Sequence, residues 1–171
     1  MEFVNSYYIL EADFELSFPR NLYKENEVQC FSLLKMGNDD FGKFIWGKIG
    51  IIKSEFDFPV FVFDIRRLVC FTSTIINVVK LKEFLEEELN ISLKILKLPF
   101  KSESKLIYPD IFNFTNDPLI GVSFTLLSDN SSPTIVSILT NGLTKFNLTN
   151  NESIMKKIVL YNIELIKGKG E

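Results

Sequence analysis

Residues 8–18 read YILEADFELSF, and the alternation in this stretch decides the fold class. Tyr8, Leu10, Ala12, Phe14, Leu16 and Phe18 fall on one side of an extended chain. Glu11, Asp13, Glu15 and Ser17 fall on the other. A period of two over this length predicts a strand with one face in a core and one in water. Pro19 has no N–H for a ladder and ends the strand.

The segments that follow repeat the signal. Residues 28–36 form a second apolar run, closed by the turn-like Gly37, Asn38, Asp39 and Asp40. Residues 44–53 read as a third strand with Gly47 and Gly50 inside it, a pattern of bulges or close backbone approach. Residues 58–71 are apolar except for Asp64, Arg66 and Arg67, and read either as one long strand or as two strands turning near those charges. The helical period appears clearly once. Val78, Leu81, Phe84, Leu85 and Leu89 make one stripe, charged residues make the other side, Asn77 can cap the start, and the helix covers about 77–89. Residues 91–98 return to a strand that stops at Pro99, and 101–105 read as a polar, mobile connection. Residues 106–114 read as a short helix or a loop. Residues 119–127 and 134–140 read as a strand pair joined by a turn at 128–133, and Asn141-Gly142 makes a tight turn before 143–148.

The last segment, 154–167, fits both periods. Ile154, Met155, Ile158 and Val159 suit a helix. Val159, Tyr161, Ile163 and Leu165, opposed by Asn162 and Glu164, suit a strand, and a strand from Val159 is favoured. The expected class is α+β: mainly antiparallel β-sheet with one clear helix at about 77–89 and room for one or two short ones. The 17 Phe agree with this, because aromatic and β-branched side chains suit a pleated, half-buried surface. With 171 residues the chain reads as a single domain, 1–171, with a subdivision near 99–106 as the alternative.

Composition removes several kinds of chemistry. There is no histidine, so Ser-His-Asp and Cys-His pairs and His-ligated metals have no basis. Cys30 and Cys70 stand singly in apolar runs and form no C-x-x-C, so no metal and no cofactor is expected. No apolar run is long enough to span a membrane, and Glu11, Asp13 and Glu15 stand where a signal peptide would be apolar. The chain reads as cytoplasmic, and the Asn-x-Ser/Thr triplets as background. A net charge of -3 without a basic tract leaves nucleic-acid binding unsupported.

Four features could carry function. Gly42, Gly47 and Lys48 have the spacing of a phosphate-binding loop. Ile49 replaces its Ser/Thr, however, and the residues between the glycines are bulky, so the stretch reads as a strand. Glu11, Asp13 and Glu15 form an acidic ladder on one strand face, suited to paired carboxylate chemistry or simply to solvation. Lys94, Lys97, Lys101 and Lys105 make a weak basic cluster interrupted by Glu103. Asp64, Arg66 and Arg67 are the strongest candidates. Charges inside an apolar run are costly without partners, and the chain otherwise prefers Lys to Arg. On strand parity Asp64 and Arg66 share a face and Arg67 points away, so at least one arginine is expected to contact a partner.

The reading leans away from an enzyme. It favours a non-catalytic binding or regulatory protein acting through a protein–protein surface, as a subunit of a larger assembly or an inhibitor or immunity-type partner. The many Phe leave enough exposed aromatic surface for this. The alternative is a nucleic-acid- or nucleotide-directed protein using Arg66, Arg67 and carboxylates.

Overall fold

A computed structural model describes residues 1–16, 21–36, 38–49, 55–99, 105–127 and 132–168. The expected strand end at Phe18 and Pro19, Gly37, Gly50 with residues 51–53, most of the 101–105 connection and residues 128–131 of the expected turn lie outside the described residues. The chain divides into two compact units, Tyr8–Ile95 and a second made of Met1–Tyr7 with Leu96–Glu171.

The Tyr8–Ile95 unit is an antiparallel sheet with one helix. Its strands are β1 (Val4–Ala12, from Tyr8 onward), β2 (Asn21–Glu25), β3 (Gln29–Met36), β4 (Asn38–Lys48), β5 (Phe56–Val62), β6 (Arg67–Cys70) and β7 (Leu93–Ile95). They lie in the order β2-β3-β4-β5-β6-β1, and β7 also pairs β1. Helix α1 (Ile75–Leu89) turns Val78, Leu81, Phe84 and Leu85 inward. It packs on one sheet face, where Phe84 meets Phe31 and Phe44 with ring centroids 5.8 and 5.7 Å apart. Directly paired residues share a face, so Leu33, Phe44 and Phe58 also belong to the helix side. Glycine is required at position 42 by proximity. A Cβ there would stand 2.9 Å from the Leu34 carbonyl oxygen and 3.2 Å from Val60 Cγ2. The phosphate-loop spacing therefore belongs to strand β4.

The second unit repeats the plan. Strands β8 (Ile111–Asp117), β9 (Gly121–Leu126), β10 (Thr134–Leu139) and β11 (Thr144–Thr149) form an antiparallel meander, and β11 pairs the first residues of β1. Helix α2 (Glu152–Lys167) follows. At Gly121 φ is +137°, and a Cβ would fall 2.0 Å from the Ile138 carbonyl oxygen, so only glycine closes the β9–β10 pairing.

Four expectations change, and one open alternative is decided. The strand at 8–18 starts earlier and ends at Ala12, and both its faces are buried, Glu11 included, which leaves Asp13 and Glu15 exposed beyond its end. Of the two readings of 58–71, the structure has two strands turning at the charges, with a bend at 64–66. Helix α1 begins after Thr74, whose side chain makes no capping bond. Asn77 lies in its first turn, accepts a hydrogen bond from Trp46 Nε1 at 3.1 Å, and so holds helix to sheet. Residues 111–114 belong to strand β8. The terminal segment is a helix throughout. Asn151 caps it by accepting from the Ser153 and Ile154 amides at 3.0 and 3.2 Å. Asn162, which made the strand reading attractive, is buried and donates to Tyr7 Oη at 2.9 Å and Thr144 Oγ1 at 2.7 Å.

Candidate functional site

Strand register builds an ionic node in the Tyr8–Ile95 unit. Glu11 on β1 is directly opposite Arg67 on β6 and Lys94 on β7. All three point to the face away from α1, since their neighbours Leu10 and Leu68 pair in line with the helix side. The Glu11 side chain is fully buried, and Arg67 is 8% exposed. Arg67 Nε donates to Glu11 Oε2 at 2.9 Å, and its Nη1 donates to Asp64 Oδ2 at 3.0 Å. Burial opposes the guanidinium charge, but the bonds to Glu11 and Asp64 outweigh it and hold the Arg67 pKa above its ordinary value. The other Asp64 oxygen accepts from the Arg66 backbone N–H at 2.8 Å and fixes the bend.

Two further cations converge on Glu11 Oε1, with Lys94 Nζ at 3.4 Å and Arg66 Nη2 at 3.9 Å. Arg66 Nε also donates to the Ala12 carbonyl at 3.2 Å. Their side chains are 43% and 58% exposed for Arg66 and Lys94. The node thus has an inner half, Glu11 with Arg67 and Asp64, and an outward half, Arg66 with Lys94. Among the described residues, three cations against two carboxylates leave one positive charge in excess, and it is carried by the outward half.

The expectation from strand parity is corrected here. The bend at 64–66 removes the alternation, so Arg67 reaches Asp64. Arg67 faces inward and Arg66 faces solvent. The structure brings Glu11, Asp64, Arg66 and Arg67 together and adds Lys94. Asp13 and Glu15 form no ion pair with them. The acidic ladder does not form.

Sequence reasoning missed a second cluster, within the Leu96–Glu171 segment. A cavity of about 540 Å³ is lined by Tyr108, Asp110, Ser153, Lys157 and Tyr161 among others. Asp110 accepts from Lys157 Nζ at 2.7 Å and from Tyr161 Oη at 2.9 Å. Tyr108 stacks on Tyr161, with centroids 4.7 Å apart, and donates to Glu164 at 2.6 Å. The spacing of Lys157, Tyr161 and Glu164 is a helical stripe, and it becomes visible only once 154–167 is read as a helix.

Burial raises the Asp110 pKa, but Lys157 and Tyr161 more than offset this and hold it below the ordinary carboxylate value; burial and the bond to Asp110 push the Tyr161 phenol up. A depressed carboxylate contributes stability that is fully present above its unfolded value, about 4. That stability is lost as pH falls through the lower folded value. Asp110→Asn should therefore flatten the acid limb of a plot of denaturant midpoint against pH between about 5 and 2. An acid limb as steep as that of the parent would show that Asp110 is not coupled to folding.

Among the described residues no group of three His, Cys, Asp or Glu is placed to hold a metal ion, and no helix is long and apolar enough to cross a membrane. Both cysteines are free thiols. Comparison with known protein families, curated proteins and solved structures found no match to this chain.

Proposed function

We propose that this chain is a non-catalytic binding or regulatory protein that acts through a protein–protein surface, as a subunit of a larger assembly or an inhibitor of its partner. The observation that supports this reading is the outward half of the node. Arg66 and Lys94 are held by one buried carboxylate oxygen and carry the excess charge into solvent. A cation already positioned by a rigid sheet loses little side-chain freedom on meeting an acidic group. Arginine also makes planar, two-point contacts to carboxylates. The surface fits a partner that presents an aspartate or glutamate.

The alternative, contact with nucleic acid, has less behind it. Arg67 is committed to Glu11 and Asp64, so one guanidinium and one ammonium face outward. A duplex binder usually neutralises several phosphates in a row. Affinity capture from the native host, with and without nuclease, tests both readings. The parent chain should enrich a protein roughly tenfold over Arg66→Glu/Lys94→Glu, a loss of about 1.4 kcal/mol. Asp13→Asn/Glu15→Gln, which leaves the node intact, should capture it as the parent does. Capture that is indifferent to the charge reversal, or that vanishes with nuclease, would overturn the proposal.

A further inference from the structure

The geometry points to a second copy of this chain as the occupant of the free edge of strand β2, paired antiparallel about a twofold axis through Tyr23. This surface is distinct from the ionic node, and the inference does not depend on the proposed function. β2 ends the sheet order of its unit, and among the described residues no strand pairs its outer edge.

The hydrogen-bond phase of that edge follows from the β2–β3 hairpin. The Asn26 amide donates to the Gln29 carbonyl at 2.9 Å, so 26 and 29 form a hydrogen-bonded pair. Antiparallel ladders alternate bonded and non-bonded pairs. In this register Lys24–Phe31 and Leu22–Leu33 are therefore the bonded pairs. Asn21, Tyr23 and Glu25 stand in the non-bonded pairs, so their N–H and C=O groups point away from β3. All three residues are exposed.

This edge is complementary to itself. Antiparallel pairing about Tyr23 sets Tyr23 against Tyr23 of the other copy, Asn21 against Glu25 and Glu25 against Asn21. Three facing pairs exchanging two bonds each give six hydrogen bonds, and every outward backbone group of the strand is used. No like charges meet, because Glu25 faces Asn21 and Lys24 faces Leu22. Lysine on an edge strand commonly repels a second strand. Here Lys24 is drawn back onto Glu87 of α1. Tyr23, 63% exposed, would lie beside its counterpart on the helix-free face, an aromatic cross-strand pair.

Sedimentation equilibrium of the full chain tests the inference. The parent should show weak, reversible dimerisation, as suits a small interface, with a dissociation constant below about 1 mM. Tyr23→Pro removes the central outward N–H, which the β2–β3 ladder does not use, and should be monomeric with an unchanged circular dichroism spectrum. Tyr23→Lys puts like charges across the twofold and should also be monomeric, which keeps the test decisive if the proline variant misfolds. Arg66→Met/Lys94→Met should dimerise as the parent does. A parent that stays monomeric at about 1 mM, or a dimer that survives in folded Tyr23→Lys, would overturn the inference.

Discussion

Arg67→Ala is expected to cost about 3–5 kcal/mol of folding stability, the penalty for stripping one partner from a buried ion pair. The Glu11 side chain is fully buried, and Arg67 is the cation bonded to it at 2.9 Å. Lys94 and Arg66 stand farther off, at 3.4 and 3.9 Å, with their charges largely in water. They soften the loss without replacing the two bonds that Arg67 makes to Glu11 and Asp64. Arg67→Lys should recover only part of the loss, since one ammonium cannot reproduce a fork that spans two carboxylates. Arg66→Ala should cost under about 1 kcal/mol, because the Arg66 head is 43% exposed and stands 3.9 Å from a Glu11 that Arg67 still neutralises. Urea unfolding separates the two. A parental midpoint for Arg67→Ala would show that Glu11 is not held as the structure has it.

Phe44→Ala is expected to cost about 3–5 kcal/mol, through lost apolar transfer and the cavity left behind. The Phe44 ring is completely buried. It contacts Phe58 at 5.5 Å, Phe84 at 5.7 Å and Phe31 at 6.4 Å between centroids, joining three strands and α1 in one aromatic cluster. Phe44→Leu keeps much of the volume and should cost roughly half as much. Calorimetry or urea unfolding checks both. A loss under about 1 kcal/mol for Phe44→Ala would mean that the cluster refills the space, contrary to close packing.

The α+β class was legible because several strands keep period two and α1 separates its apolar stripe from its charges. Helix α2 was not, because Asn162 and Glu164 looked like the wet face of a strand. Asn162 lies in the core with its amide bonded to Tyr7 and Thr144, so polarity there did not signal exposure. Missing α2 also hid the Asp110 cavity, whose lining depends on the helical stripe. Glu11 misled for a different reason. Asp13 and Glu15 share its parity and suggested a solvated ladder, but the strand stops at Ala12. The arginine that neutralises Glu11 lies 56 residues away and Lys94 still farther, and such pairing follows from strand order, which alternation does not reveal. What sequence did reveal at Asp64, Arg66 and Arg67 was cost, since charges in an apolar run need partners. The assignment of inner and outer arginine came from the bend at 64–66.

The most direct measurement pairs urea unfolding with affinity for the captured protein partner in Arg66→Met/Lys94→Met. These substitutions keep most of the unbranched apolar stem and remove the outward charge while leaving Glu11, Arg67 and Asp64 bonded. The expected result is stability within about 1 kcal/mol of the parent and partner affinity reduced tenfold or more, about 1.4 kcal/mol. Parental affinity in a folded variant would contradict a role for the outward cations in binding, and a collapse in stability would show that they serve the fold.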